Sequence, residues 1–284
     1  MSAAASDIVI ALVNGVSWGL ITALMALGLS FIFGLMGIIN VAHADFFMMG
    51  SFLALYFVGQ FGNLFYGIPI ILLIGFLCGL PFERLVFRGF EEKPAYTCLL
   101  SIGLAYILQQ MALAAFGGGI YTAPNPFPLT VTFLGVSYPG IRLLLAGVAI
   151  GLLAGLWLIL YRTNYGLKIR AVMSNREMAD ALGIDVNRLR MVSFGIGSAL
   201  AFAAGGLAAP LLGIYFLMGR DILPLAFMVV VIGGLGTLRG TFFAALLLVL
   251  LENLLSLAMT PTETRVISLV IMLVVIVLRV ERRR

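Results

Sequence analysis

The sequence predicts an all-α polytopic membrane protein with about eight or nine transmembrane helices. Hydrophobic residues make up 62% of the 284 residues and charged residues only 10%, and the mean hydropathy is +1.15. Soluble domains carry roughly 25% charged residues, so this chain has too few to cover a surface that faces water. The composition therefore places it in a lipid bilayer. The net charge of +5 does not indicate a nucleic-acid partner, because the basic residues lie at the ends of apolar runs.

Nine apolar runs are long enough, or nearly long enough, to cross a bilayer. They cover 8–36, 45–62, 66–87, 96–116, 141–161, 191–217, 222–236, 241–258 and 265–280. Pro94 is placed to begin the fourth helix, whereas Pro81 and Pro210 lie inside apolar runs and predict kinks. The run 222–236 is barely long enough, and the number of crossings changes if it enters and leaves on one side.

The basic residues predict the orientation in the membrane. If all nine runs cross, only Arg142, Arg220 and Arg265 lie on one side, and the remaining lysines and arginines lie on the other. The basic side of a membrane protein faces the cytoplasm. The N-terminus is then outside, and the C-terminal Arg282–Arg284 is in the cytoplasm. No cleavable leader is expected, so the first span would direct the chain to the membrane.

Residues 1–284 are expected to form one membrane domain with two notable loops. The outer loop, 117–139, is rich in glycine and proline and should be irregular. The polar segment 162–190 lies between long apolar runs and holds many of the basic residues. Its position on the basic side predicts a cytoplasmic loop.

Two glycine-containing interruptions form an apparent internal repeat. Residues 37–47 (GIINVAHADFF) align without a gap on 233–243 (GGLGTLRGTFF). In each, an apolar run ends in glycine, a short break carries a basic residue, and a helix opens on Phe-Phe. Paired interruptions in the two halves of a membrane protein indicate a transport site, because broken backbone requires protein or water to satisfy it. The repeat is parallel if 222–236 crosses and inverted if it does not.

The first break supplies Asn40, His43 and Asp45 as candidate pathway or gate residues. His43 is the only histidine in the chain. A helix cap contributes about 1 kcal/mol, whereas a carboxylate at the bilayer centre costs about 2.5–3.5 kcal/mol. Capping alone would not hold Asp45 deep in lipid. Two interpretations stay open: a shallow cap with His43 bonded to backbone, or a wall of the pathway. A proton relay is disfavoured because the spans offer few acidic partners.

The second break supplies Gly233, Gly234, Gly236 and Thr237. Its glycines suit either close helix packing or a hinge that lines a pore. A phosphate-binding loop is excluded because no GxxxxGK[ST] motif is present. Glu252 is an ionisable residue inside a span, so it faces the pathway or lies near enough to the outer surface to be solvated. The sequence offers no catalytic or metal-binding constellation and predicts no cofactor.

The segment 162–190 contains a predicted docking helix. Asn175 or Ser174 is placed to cap a helix over Arg176–Leu182, which ends at Gly183. Met178, Ala181 and Leu182 form a small apolar face that has nothing else obvious to cover it. The alternative is a solvated loop helix. The candidate contact residues for a soluble partner are Arg170, Arg176, Glu177, Asp180, Ala181, Leu182 and Gly183.

Three blocks in this order resemble a known family. They are AHADF at 42–46, RAVMSNREMADALGID at 170–185 and GGLGT at 233–237, within a likeness that covers roughly 15–278. The chain resembles the permease of branched-chain amino acid ATP-binding-cassette (ABC) importers, of the LivH/LivM type, closely related to urea and amide permeases. It departs from that family at Ala44, where glycine is usual, and at Arg239, where proline is common.

The resemblance implies a location in the bacterial inner (plasma) membrane and a set of partners. The partners are a second permease subunit, in a hetero- or homodimer, two cytoplasmic ATPase subunits, and a periplasmic binding protein that delivers the substrate. Transport would proceed by alternating access, the partners would hydrolyse ATP, and the docking helix would contact the ATPases. Substrates would be branched-chain or other small amino acids. The alternatives are a permease for urea or short amides, an ion-coupled secondary carrier, and a passive channel for small neutral solutes.

Overall fold

The computed structural model describes residues 3–62, 64–90, 93–125, 127–133 and 136–281. Within these ranges the chain is almost entirely helical, which confirms the predicted all-α class. The elements are α1 (Ala3–Met36), α2 (His43–Phe61), α3 (Leu64–Phe82), a π-helical turn (Glu83–Phe87), α4 (Pro94–Phe116), β1 (Thr130–Phe133), β2 (Val136–Pro139), α5 (Gly140–Arg162), α6 (Asn164–Ser174), α7 (Arg176–Ala181), α8 (Val186–Ala208), α9 (Met218–Gly233), α10 (Leu238–Leu255) and α11 (Pro261–Glu281).

Seven helices in the described ranges are long and apolar enough to cross a membrane: α1 to α5, α8 and α10. The chain is thus a multi-pass membrane protein. The prediction of eight or nine spans counted α9 and α11 as well. Helix α9 has only 16 residues, in agreement with the short run that the sequence singled out. The basic tail Arg282–Arg284, used to predict orientation, lies outside the described residues.

Several predicted boundaries are wrong. Helix α8 begins at Val186 and ends at Ala208 rather than covering 191–217, so Pro210 follows the helix and does not kink it. The segment 117–139, predicted to be an irregular outer loop, is not irregular throughout, since β1 and β2 form an antiparallel pair with Val131 opposite Tyr138. Helix α8 starts early because Asp185 accepts a hydrogen bond from the backbone N–H of Arg188 and so caps it.

The long helix α1 lies at the centre of the bundle and packs along α8 and α10. Small residues allow the closest contacts, as is common between membrane helices. A Cβ added to Gly15 would lie 2.9 Å from the Cα of Leu250 on α10. Helices α2 and α8 cross even more closely at Gly50 and Gly205. The hydroxyl of Ser51 donates to the carbonyl of Gly205 over 2.8 Å at this crossing.

The two interruptions connect similar pairs of helices. The first joins α1 to α2 and the second joins α9 to α10, while α1 packs along α10 and α2 along α9. Gly34, near the end of α1, lies against the second break: an added Cβ would be 3.0 Å from the Cα of Gly236 and 2.8 Å from the Cε of Met173 on α6. The end of α1, the second break and α6 therefore meet at one point.

Candidate translocation site

The first break is a non-helical segment, 37–42, inside the protein. Gly37 ends α1 with a φ of 66°, and Asn40 is fully buried. Ser101 on α4 anchors the segment: its hydroxyl accepts the backbone N–H of Val41 over 3.1 Å and lies 3.4 Å from the carbonyl of Ile39. Broken backbone in a bilayer needs such partners. Helix α4 thus holds the break in place.

Replacing Ser101 by alanine should weaken this anchor. The backbone N–H of Val41 would lose its partner, and an unsatisfied buried donor costs about 1–3 kcal/mol. We expect a lower thermal midpoint for the detergent-solubilised protein. Ser256→Ala is the matched control, because that exposed hydroxyl bonds only within the end of its own helix. Equal midpoints for the two variants would contradict the anchoring role.

His43 and Asn40 are polar side chains buried in the apolar interior. The Nε2 atom of His43 lies 3.0 Å from the carbonyl of Met25 on α1, and both residues have no exposed surface. Gly28 makes room for the imidazole, since an added Cβ would lie 3.1 Å from the ring. Nδ1 of His43 and both amide atoms of Asn40 make no hydrogen bond within the described chain. The break thus carries unused hydrogen-bonding capacity in the interior, which is uncommon.

Asp45 belongs to a chain of polar side chains across three helices. Its Oδ1 accepts a hydrogen bond from Nε2 of Gln109 on α4 over 2.9 Å. The Oε1 atom of Gln109 in turn accepts from Nη2 of Arg220 on α9 over 2.9 Å. We call these three residues the Asp45 junction. Asp45 is only 2% exposed and Gln109 only 3%, whereas Arg220 is exposed. The junction therefore links a buried carboxylate to an accessible guanidinium.

A cavity of about 160 Å³ opens beside the Asp45 junction. Val41, Tyr106 and Leu223 are among its walls, and the guanidinium of Arg220 lies 5.2 Å from the centre of the Tyr106 ring. Gly219 permits the close approach of α9, because an added Cβ would be 2.8 Å from Oδ1 of Asp45. The cavity thus presents a negative, a neutral polar and a positive group within a small apolar space.

The contacts of Asp45 differ from those of a helix cap. The side chain makes no capping bond to the start of α2, whose first turn follows Ala42 without a side-chain cap. Asp45 is instead held by Gln109 across the helix interface. Pairing of this kind offsets the cost of a buried carboxylate better than a cap does. The backbone partner that the capping interpretation expects for His43 is present at Met25.

The second break is a tight turn between α9 and α10. The hydroxyl of Thr237 donates to the carbonyls of Gly233 and Gly234 over 2.7 and 2.8 Å. An added Cβ on Gly233 would lie 2.5 Å from the backbone N of Thr241, and Gly234 and Gly236 have φ values of 100° and 78°. These contacts agree with the close-packing interpretation of the glycines. None of these residues lines the cavity at the Asp45 junction.

Glu252 lies apart from both the Asp45 junction and the second break. It lines a separate cavity of about 530 Å³ with Asn253, Arg265 and other residues of α10 and α11. The candidate pathway residues therefore divide into three groups. Asn40, His43 and Asp45 lie along the first break, the glycines and Thr237 form the second break, and Glu252 lies between the last two helices.

The polar segment between α5 and α8 folds into two short helices. Asn175 caps α7 by accepting the backbone N–H of Met178 over 2.9 Å, and the chain leaves the helix at Gly183, whose φ is 80°. Both features are as the sequence predicts. The backbone N–H of Ile184 donates to the carbonyl of Ala179, as in a Schellman C-terminus. The expected helix therefore forms, one residue shorter than Arg176–Leu182.

Tyr165 anchors the segment to the membrane domain. Its hydroxyl lies 2.8 Å from that of Ser193 on α8, and Ile169 and Val172 bury the inner face of α6. Burial raises the pKa of Tyr165 to about 12, although the hydrogen bond with Ser193 acts in the opposite direction. The phenol is therefore neutral at physiological pH and keeps its proton for hydrogen bonding. Helix α6 is held firmly against the spans.

Two large apolar side chains of α7 are uncovered, among charged residues. Met178 is 59% and Leu182 is 74% exposed, and Arg176, Glu177, Asp180, Ala181 and Gly183 are also exposed. Only Ala179 faces inward. Arg170 does not join these residues, because its guanidinium folds back onto the end of α5 and donates to the carbonyl of Leu160. Arg188 and Arg190 are part of α8, and Arg190 is only 1% exposed.

Comparison with known proteins places this architecture in a family. A family model described as the permease component of branched-chain amino acid transport systems matches residues 11–277. The chain belongs to this family. It is therefore a transport permease of the ABC importer type, and the resemblance seen in the three sequence blocks is confirmed. No solved structure matches the chain significantly.

Three relatives illustrate the range of the family. The permease is 29% identical over 259 residues to the high-affinity branched-chain amino acid permease BraD of Pseudomonas aeruginosa, covering 84% of this chain and 82% of BraD. It is 28% identical over 271 residues to a probable branched-chain amino acid permease, LivH, of Methanocaldococcus jannaschii, covering 88% and 84%. It is 29% identical over 227 residues to the autoinducer 2 import permease LsrD of Salmonella paratyphi B, covering 74% and 65%.

Sequence reasoning missed most of the cavity at the Asp45 junction in this permease. Gln109 was recognisable only as an amide inside a span, and Arg220 only as a basic residue on the less basic side. Their one shared signal is polarity in an apolar neighbourhood. Gly219 carried no signal at all, because its role depends on how closely α9 approaches α2.

Proposed function

We propose that this permease forms the membrane pathway of an importer that partner ATPases drive through α7. Two ATPase subunits hydrolyse ATP, a second permease subunit completes the pathway, and a periplasmic binding protein delivers the substrate. The N-terminus lies outside and the C-terminus in the cytoplasm of the inner membrane. In this orientation the outer loop 117–139 faces the binding protein, and the segment 162–190 faces the ATPases.

The exposure of Met178 and Leu182 on α7 is the observation that carries the proposal. Helix α7 is capped at both ends, and Ala179 packs inward. A movement of a bound ATPase subunit would therefore be passed through α7 to the membrane domain. Exposed Met178 and Leu182 offer a hydrophobic contact of the kind that partner proteins bury. A secondary carrier or a passive channel has no need of such a contact. The family membership favours the same function.

Leu182→Glu tests this docking role. The side chain is 74% exposed, so the substitution leaves no cavity and should not disturb the fold. A buried, unpaired carboxylate at the contact costs several kcal/mol, and we expect loss of ATPase co-purification in mild detergent together with loss of uptake. The amount of permease in the membrane should be unchanged.

The matched control is Leu129→Glu in the outer loop. Leu129 is 61% exposed and lies at the opposite end of the molecule in the proposed orientation. This variant should still bring down the ATPase subunits. Retention of the ATPase by Leu182→Glu, or equal loss with both variants, would contradict docking at α7.

The substrate that fits best is a small amino acid. An amino acid carries one positive and one negative group, and the Asp45 junction presents Asp45 and Arg220 on either side of Gln109 in a cavity of about 160 Å³. Asn40 and His43, on the same break as Asp45, have hydrogen-bonding atoms without a partner in the described chain. We propose that these two residues and the Asp45 junction form part of the pathway. Branched-chain amino acids are the substrates named for two of the relatives.

A permease for urea or short amides is the second candidate. Its substrates are neutral, so they would need the amide of Gln109 more than the charges of Asp45 and Arg220. Uptake of labelled leucine and of labelled urea, each in cells that express the complete importer, separates the two. Uptake of urea but not of leucine would favour the second candidate.

A further inference from the structure

An apolar groove runs between α5 and α10 with α1 at its base. Its volume is about 320 Å³, and Leu20, Leu153 and Phe242 are among the residues that line it. Along α5 the wall extends from Ile150 to Tyr161. At about 1.5 Å per helical residue this distance is about 16 Å, close to half of the roughly 30 Å hydrocarbon core of a bilayer. The groove therefore has the depth of one lipid leaflet.

Three arginines surround one end of the groove. The Cζ atoms of Arg170 and Arg239 lie 5.4 and 5.7 Å from the centre of the Tyr161 ring. The Cζ atom of Arg162 lies 5.9 Å from the centre of the Trp157 ring. All three arginines are exposed, and within the described part of the chain none forms an ion pair with a carboxylate. This end therefore carries a concentrated positive charge without a matching negative group.

We propose that the groove binds one anionic phospholipid. An acyl chain lies along the apolar wall, and the phosphate lies among Arg162, Arg170 and Arg239. Guanidinium groups bind phosphate through paired hydrogen bonds, and basic pockets between membrane helices bind anionic head groups. Trp157 and Tyr161 are placed at the level where aromatic residues meet the membrane interface. This inference goes beyond the transport function and does not depend on it.

The charge at one end of the groove argues against an apolar helix from a partner as its occupant. Such a helix would meet three exposed arginines that have no carboxylate partner within the described part of the chain, and burying unpaired charge against an apolar surface is costly. A single hydrocarbon chain is the slender apolar object available in the membrane. The three unpaired arginines select the charged class of phospholipid.

Lipid binding to the purified permease tests the head-group site. Native mass spectrometry would measure the apparent affinities for dioleoyl phosphatidylglycerol and dioleoyl phosphatidylcholine. We expect the anionic lipid to bind at least about tenfold more tightly. Each arginine near an anionic lipid contributes about fivefold, so Arg170→Gln with Arg239→Gln should weaken phosphatidylglycerol binding about 25-fold. Arg188→Gln removes an exposed charge remote from the groove and should change nothing.

A second variant tests the acyl-chain site independently of charge. Ala154→Trp places a bulky side chain in the groove, at an exposed position where it should not disturb the fold. Ala114→Trp adds the same side chain to the exposed face of α4 as the control. We expect only Ala154→Trp to weaken phosphatidylglycerol binding, by at least tenfold.

Three outcomes would overturn the proposal. They are equal affinities for the two lipids, equal effects of Ala154→Trp and Ala114→Trp, and protection against heat by inorganic phosphate as strong as that by phosphatidylglycerol. The last would show that the arginines bind free phosphate and that the groove has no part in it.

Discussion

Asp45→Asn should reduce amino acid uptake by at least about tenfold without reducing the amount of permease in the membrane. Asparagine preserves the shape of the side chain and an oxygen that accepts from Gln109, at present 2.9 Å away. It removes the negative charge that faces the cavity and Arg220. A hydrogen bond to a charged group contributes about 1.5–3 kcal/mol, and each 1.4 kcal/mol corresponds to a factor of ten. Uptake of labelled leucine in cells that express the complete importer would measure the effect.

Asp7→Asn is the control for this substitution. Asp7 is an exposed carboxylate near the N-terminus, remote from the cavity, and its replacement should leave uptake unchanged. A fall in uptake of Asp45→Asn that only matches a fall in protein abundance would give Asp45 a structural role. In that case the Asp45 junction would tie α2 to α4 and α9 without contacting the substrate.

Gly205→Ala should prevent stable folding. An added Cβ on Gly205 would lie 1.8 Å from the carbonyl oxygen of Phe47, and one on Gly50 would lie 2.0 Å from that of Phe202. Both obstacles are backbone atoms of neighbouring helices, which cannot rotate away. Helices α2 and α8 would have to separate and break the bond between Ser51 and Gly205. Overpacking of this kind costs about 3 kcal/mol or more.

Gly103→Ala provides the comparison for the crossing of α2 and α8. Gly103 lies in the middle of α4, is exposed, and has nothing within 4 Å of an added Cβ. Alanine should be neutral there or raise stability by up to about 1 kcal/mol. The thermal midpoints of the two variants in detergent, with their yields, measure the difference. A Gly205→Ala protein as stable as Gly103→Ala would mean that the crossing is much looser than the structure has it.

The fold could be predicted from the sequence wherever it depends on local properties of the chain. Apolar runs gave the all-α class and most of the spans, and Asn175 and Gly183 bracketed α7 because capping is a local interaction. The predicted boundaries of elements were wrong where capping or strand pairing, rather than hydrophobicity, decides where an element begins. Asp185 starts α8 five residues early by capping it. Strands β1 and β2 pair within a stretch that composition indicated to be irregular.

The site was harder to predict because it depends on contacts between distant parts of the chain. Asp45 stood out in the sequence, but Gln109 is 64 residues away from it along the chain, and Arg220 is 111 residues from Gln109. No local pattern links them. Glu252, Thr237 and the glycines of the second break do not line the cavity at the Asp45 junction, although the sequence presents all of them as candidate pathway residues. Which polar residues meet is decided by the crossing of α2 with its neighbours.

The meeting point at Gly34 has a mechanical consequence. Met173 belongs to α6, which continues directly into the α7 docking face, and it touches the last turn of α1 where Gly236 of the second break also lies. If the ATPases act on α7 as proposed, a displacement of that helix reaches, through Met173, the points where both chain interruptions begin. The same movement would therefore reach the α1–α2 connection and the α9–α10 connection together. A bulky residue at Gly34 would collide with both Met173 and Gly236 and so hinder this movement.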